Sequence, residues 1–328
     1  MFNIRTDLAI EATEIYSKEA KKNAIDGVIV QNSTEDDVKV TRVEIKNDEG
    51  ERTLNKPKGT YITLDIPKLS NYEQEDIDRV GKILGKEILE IIKDTNFRDD
   101  MTALVVGLGN WNITPDALGP KVISKIMITR HLKEYIPDSI DEGIRPVCGI
   151  APGVLGITGM ETGEIIRGIV DRIKPNLVIC IDSLASRKME RVNSTIQIGN
   201  TGISPGSGIG NKRMEISKKT LGIPVLAIGV PTVVDAATMA NDTIDLVIEE
   251  MTGAATKGSG FYNMLKEIDK AEKEKMIHEI LDPYIGNLMV TPKEVDMVVD
   301  VLSKVISTGI NIALQPALEL KEINRYIS

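Results

Sequence analysis

Three short, uninterrupted apolar runs mark the middle of the chain: Thr102–Val106 (TALVV), Asn176–Ile181 (NLVICI) and Ile223–Gly229 (IPVLAIG). Apolar runs of this length without alternation predict strands buried on both faces. Helical spacing separates them over Ala117–Tyr135 and Gly163–Ile173. The alternation predicts an α/β fold of three layers, with a mostly parallel central sheet between two layers of helices.

The first hundred residues follow another rhythm. Asp7–Lys22 reads as a helix, Val38–Ile45 (VKVTRVEI) alternates with strand period, and Tyr61–Ile66 is a second strand. A polar turn, Asn47-Asp48-Glu49-Gly50, separates those strands. Ser70-x-x-Glu73 forms a capping-box pattern ahead of Ile77, Val80, Ile83, Leu84, Ile88 and Ile91, which share one helical face. Towards the end, Glu267–Leu281 is amphipathic. Thr291-Pro292-Lys293-Glu294 signals a helix start before Val295–Ile306, and Asn311–Ile327 closes the chain. Residues 8–328 are thus expected to form one domain: a smaller N-terminal α+β part (8–100), a core (101–250) and a helical C-terminal part (251–328).

Composition narrows the function. The formal charge of −9, with no long Lys/Arg block, disfavours direct binding to nucleic acid. Two cysteines, Cys148 and Cys180, lie in or beside apolar segments, which predicts buried free thiols and a reducing compartment. The start of the chain lacks an apolar core of signal-peptide length, and no run of 18 apolar residues occurs. A cytoplasmic protein without a membrane partner is the simplest expectation. His131 and His278 sit in polar helical contexts away from other candidate ligands, so a Ser-His-Asp triad or a His-rich zinc site is poorly supported. Chemistry then falls to carboxylates, lysines or backbone donors.

Three acids, Asp116, Asp182 and Asp235, follow the three core strands. Parallel strands would open their loops onto one edge of the sheet. Gly107-x-Gly109 starts like a dinucleotide fingerprint, but Asn112 stands where the third glycine belongs. Gly153, Gly156, Gly159 and Gly163 recur without a following Gly-Lys-Ser/Thr, and a second glycine-rich stretch spans Gly206–Arg213. Such loops serve equally as turns needing positive φ or as a backbone surface for an extended ligand. Asp116 would suit the N-cap of a helix starting near Ala117, and Asp182 would suit a strand end. As a pair they suit water activation, one ionised to take a proton and the other held protonated to donate one. Paired carboxylates can equally hold a divalent metal.

GLGNWNITPDALGP (Gly107–Pro120), PGVLGITGMETGE (Pro152–Glu164), VICIDSLASR (Val178–Arg187) and ISPGSGIGNKR (Ile203–Arg213) resemble the germination protease family of spore-forming bacteria, and the resemblance runs essentially end to end. It implies an aspartic-like endopeptidase of the spore core that degrades the small acid-soluble proteins coating spore DNA. It also implies a homotetramer without a cofactor, and a fold similar to the hydrogenase maturation peptidases. The implied catalytic pair is Asp116 and Asp182. Because the hydrogenase relatives bind metal through similarly placed acids, a divalent metal stays open. The family is made as a zymogen, and Arg5-Thr6-Asp7-Leu8-Ala9-Ile10-Glu11 is similar to its self-cleavage motif, with Ile10 where a small residue is usual. The implied propeptide is residues 1–7, cut between Asp7 and Leu8. An acid before the scissile bond calls for a nearby cation. Arg187, Lys188, Lys212 and Arg213 are candidate substrate-binding residues, and Glu161 and Asp235 are the next acids in line.

Overall fold

The computed structural model describes residues 6–20, 25–67, 72–136, 143–206, 213–285 and 288–327. Its strands are β1 (Val28–Glu35), β2 (Val38–Ile45), β3 (Gly59–Asp65), β4 (Ala103–Gly107), β5 (Val147–Ile150), β6 (Leu177–Ser186), β7 (Thr195–Gly199), β8 (Val225–Asp235) and β9 (Met289–Val290). They form one sheet in the order β1-β2-β3-β7-β8-β6-β4-β5, with β9 beside β8. The three apolar runs are β4, β6 and β8, and they pair in parallel with one another and with β5. The remaining pairings, β1–β2, β2–β3, β3–β7, β7–β8 and β8–β9, are antiparallel.

The sheet is therefore mixed, which corrects the mostly parallel expectation. The reason lies in the connections. A parallel return needs a crossover of about a dozen residues or more. The short link 187–194 between β6 and β7 holds only a single 3-10 turn, Met189–Arg191. The chain reverses there, and β7 enters antiparallel to β8, joining the N-terminal meander to the parallel strands.

Helices cover both faces. Along β4, Ala103 and Val105 point to one side and Leu104 and Val106 to the other, as strand alternation requires. The first side packs against helices Gln74–Lys93, Leu118–Ile123 and Val295–Leu314, the second against Thr162–Ile173. The split continues across β2. Val38 and Val40 join the first side, while Val43 and Ile45 pack with Ala9 of helix Ala9–Ala20. Helix Val295–Leu314 is long and apolar enough to cross a membrane by length and composition, but 67% of its apolar window is buried within the protein. Its partner is Gln74–Lys93. A Cβ on Gly81 would lie 2.6 Å from the Thr308 methyl, and one on Gly309 2.8 Å from Leu84, so glycines let the two helices approach.

Several local expectations shift. Ala117–Tyr135 is split into Leu118–Ile123 and Arg130–Tyr135. Buried Asn311 enters the break, accepting from Met127 N at 2.9 Å and donating to Lys125 O at 3.0 Å. These bonds satisfy backbone groups that a continuous helix would have paired itself. The capping box before Gln74 is formed by Glu73 and Asp76, while Ser70 lies outside the described residues. Glu294 starts Val295–Leu314 without a side-chain cap, and Thr291 donates instead to Thr232 O at 2.8 Å. That helix runs past Ile306, and Leu320–Ile327 is separate.

Candidate active site

Strand β4 ends where Gly107 pairs with Ile181, while β6 continues to Ser186. Asp182 is the first residue of β6 beyond that end. It sits inside the strand, in register with Gly229 of β8, and not just after it as the apolar run predicts. Its side chain is 6% exposed, and one oxygen accepts from Ser183 N at 2.9 Å.

The loop after β4 brings Asp116 to the same edge. Gly109 has φ +111°, and a Cβ there would fall 2.0 Å from the Asp116 carbonyl oxygen. Only glycine adopts this conformation without strain. Asn110 N donates to Asp116 O at 3.0 Å, Asp116 N donates to Ile113 O at 2.8 Å, and Asn112 N donates to Asn110 Oδ1 at 3.0 Å. A Cβ on Gly119 would lie 2.2 Å from Leu108 O and 2.7 Å from Ile181 O. The glycines of GLGNWNITPDALGP thus serve backbone approach: they seat a closed loop and the start of a helix on the strand ends. From β8, Thr232 Oγ1 ties the loop down by donating to Pro115 O at 2.7 Å. Asp116 lies in a 3-10 turn, Thr114–Asp116, and the following helix has Ala117 as its N-cap with no side-chain bond. The N-cap role expected for Asp116 is therefore corrected.

Burial raises the Asp116 pKa to about 6, against the opposing hydrogen bond from Asn110. Asp182 is raised well above the ordinary carboxylate value, first by burial, then by the charges of Asp116 and Asp7. Two buried, mutually repelling carboxylates retain a proton at pH values where isolated ones are ionised, and the titration belongs to the pair.

The segment Thr6–Glu11 occupies the cleft beside them. Asp7 extends the end of β6: its N donates to Ala185 O at 3.2 Å, and its Oδ2 accepts from Ala185 N at 3.0 Å. Leu8 is wholly buried with Ile10 and Leu184. Glu11, 1% exposed, accepts from Arg187 N at 2.8 Å and Lys188 N at 2.9 Å, and lies 3.8 Å from Arg191 Nε. Gln197 of β7 accepts from Ala9 N at 2.7 Å and donates to Asp7 O at 3.1 Å. Lys56 Nζ donates to Asp7 O at 3.0 Å and Thr6 O at 3.2 Å. Asp7, Lys56, Asp116, Asp182 and Gln197 all line a cleft of about 2120 Å³. Small-molecule sites commonly measure about 300–1,000 Å³; this cleft has room for an extended chain.

The germination protease family model matches residues 9–259 and 249–327. The chain belongs to the germination protease family. It is 65% identical to the germination protease of Clostridium acetobutylicum over all of both chains. Identity is 63% with that of Clostridium tetani (99% of this chain, all of the relative) and 42% with that of Bacillus pumilus (99% and 97%). Family membership makes the chain a spore-germination peptidase with spore proteins as substrates.

Within this peptidase the other predicted site residues have varied surroundings. Arg187 and Lys188 meet Glu11 through their backbone, while their side chains pair with Asp242 at 3.2 Å and Glu14 at 2.7 Å. Arg213 lies 3.6 Å from Glu161, and Glu161 caps helix Thr162–Ile173 in a capping box with Glu164. Lys212 and Arg5 lie outside the described residues. Asp235 caps helix Ala236–Ala254 by accepting from Thr238 N at 2.9 Å, so the third strand-following acid has a structural task. Cys148 and Cys180 are free thiols, and Cys180 is fully buried. Among the described residues no group of three or more His, Cys, Asp and Glu side chains is placed to hold a metal ion. Sequence reasoning missed Lys56, Gln197 and Arg191. For Gln197 a signal existed: it interrupts the apolar alternation of TIQIG, a polar side chain on a sheet face otherwise covered.

Proposed function

We propose that the chain is the zymogen of an aspartic-like endopeptidase that cuts small acid-soluble spore proteins in the spore core. Asp116 and Asp182 activate water and protonate the leaving amide, and the enzyme first cleaves itself between Asp7 and Leu8, releasing residues 1–7. One observation carries this reading: Thr6–Glu11 lies along the end of β6, with the Asp7 charge close enough to raise the pKa of Asp182. A peptide added to a strand in this way is held mainly through its backbone, with pockets reading alternate side chains. Buried Leu8 and the amide-bound Glu11 fit that description.

In this reading the pair shares one proton. The ionised member takes a proton from water as its oxygen attacks the Asp7 carbonyl carbon. The protonated member supplies the proton that Leu8 N needs to leave. The likeness to the hydrogenase maturation peptidases is proposed for the parallel strands β5-β4-β6-β8 that carry these acids. A homotetramer is also proposed. Exposed Leu246, Val247 and Met251 on helix Ala236–Ala254, with Met276 and Ile280 nearby in sequence, support burial against another copy.

Intact-mass analysis of the purified chain at mildly acidic pH tests the reading. The wild type should lose residues 1–7. Asp116→Asn and Asp182→Asn should stay intact while retaining the wild-type circular dichroism, with processing slowed at least about 10²–10⁴-fold. Processing of either variant at the wild-type rate, or a wild-type cut elsewhere, would remove the pair or the cleavage site from the proposal. Addition of a chelator should leave the wild-type rate unchanged; a loss restored by a divalent cation would recast the acids as metal ligands.

A further inference from the structure

We infer that Lys56 and Gln197 form the oxyanion site for the cleaved peptide bond, a role that rests on the self-cleavage reading above. Lys56 Nζ and Gln197 Nε2 donate to the same atom, the Asp7 carbonyl oxygen, at 3.0 and 3.1 Å. This is the carbonyl of the bond between Asp7 and Leu8. Two donors converging on one peptide oxygen exceed what docking an extended segment requires, since a strand carbonyl normally takes one ladder bond.

The donors come from separate elements. Gln197 projects from β7, and its Oε1 is held by Ala9 N at 2.7 Å, which turns its amide nitrogen towards Asp7 O. The amide therefore brackets Leu8, reading the carbonyl before it and the N–H after it. Lys56 reaches in from the turn before β3, and its ammonium end is enclosed although part of the side chain meets solvent. Burial lowers the Lys56 pKa, and the charges of Asp7 and Glu11 oppose that shift. A charged donor in an enclosed site is worth far more to a developing oxyanion than one in water.

The step balances as follows. Water oxygen bonds to the Asp7 carbonyl carbon, and one water proton passes to the ionised member of the acid pair. The C=O π electrons move onto the oxygen, where Lys56 and Gln197 N–H groups hold the negative charge. The charge then returns to the carbonyl as the C–N bond to Leu8 breaks. Leu8 N takes a proton from the other acid, leaving a carboxyl on Asp7 and an amine on Leu8. Substrate proteins entering after residues 1–7 depart would place their scissile carbonyl on the same two donors.

The test is the first-order self-processing rate of the full chain at mildly acidic pH in Lys56→Met and Gln197→Met. It is paired with amide-exchange protection of Leu8–Glu11 in the unprocessed chain, which reports docking. Loss of one oxyanion donor should slow processing about 10²–10³-fold with protection unchanged. Lys56→Arg should recover part of the rate. Gln197→Met, of similar length and on another element, keeps the test open should Lys56→Met fail to fold. Processing within threefold of wild type, or a fall in rate matched by an equal fall in protection, overturns the assignment; the second outcome makes the residues anchors only. If Asp116→Asn and Asp182→Asn are inert while these variants process normally, the oxyanion site alone falls. If the Asn variants process normally, the underlying reading falls with it.

Discussion

The two sides of the sheet meet the cleft by different means. On the parallel side, β4, β6 and β8 set two acids through backbone contacts: glycine approach at Gly109 and Gly119, and Asp182 inside a fully paired strand. On the antiparallel side, β7 and the turn before β3 reach the docked segment with side chains, Gln197 and Lys56. Backbone-set groups move little, which suits acids whose pKa values depend on burial and mutual distance. Side-chain contacts can open, which suits a grip that must release residues 1–7 and take up a new chain. The contrast separates a preorganised centre from an adaptable one within a single sheet.

Gly119→Ala is the strongest way to break the parallel side. The added Cβ meets only backbone, Leu108 O at 2.2 Å and Ile181 O at 2.7 Å, and neither atom can swing away. Overpacking of this kind costs about 3 kcal/mol. Urea unfolding should report that loss, and processing should be abolished because the helix start and the Asp116 loop shift together. A variant as stable and active as wild type would show that the loop is not set by glycine approach.

The acids themselves should cost stability at neutral pH, and this sharpens the contrast. Both have native pKa values raised above the unfolded value near 3.8. A raised native pKa contributes stability that is complete below the unfolded pKa and is lost as pH rises through the native one. For Asp116 that window runs from about 4 to about 6; for Asp182 it extends higher. Carboxylates such as Glu14 and Asp300, lowered in the native state, slope the other way. The difference between variant and wild type isolates the two acids. Asp116→Asn and Asp182→Asn should therefore melt above wild type at pH 7, with the advantage shrinking towards pH 4. Melting curves at the two pH values decide it; an advantage that grows on acidification would contradict the raised values.

How much of this was legible in the sequence follows the same division. Asp116 and Asp182 could be found because each follows a fully apolar run, and such runs announce strands whose ends share an edge. Helix Gln74–Lys93 was legible from its spaced isoleucines and leucines. Lys56 and Gln197 were not, because their nearness to Asp7 depends on β7 pairing antiparallel between β3 and β8. No local pattern encodes that register. Strand β1, VIVQNSTE, hid for another reason: it is an exposed edge strand with no buried face to impose alternation. The break after Ile123 depends on Asn311, far along the chain, so helical spacing alone ran on to Tyr135.

The smallest expected effect tests whether one side-chain bond assists the backbone-set side. Thr232 is 1% exposed and donates to Pro115 O at 2.7 Å, linking β8 to the turn that carries Asp116. Thr232→Val keeps the shape and removes the hydroxyl, leaving Pro115 O without that donor. Such a loss costs about 1 kcal/mol, measurable as a lower urea midpoint with unchanged slope. If the loop is set chiefly by the glycines, processing should fall no more than about tenfold, in keeping with that energy. A collapse of processing as complete as in Asp116→Asn would instead make Thr232 a principal determinant of the acid's position, and the line between a backbone-set and a side-chain-set half would have to be redrawn through β8.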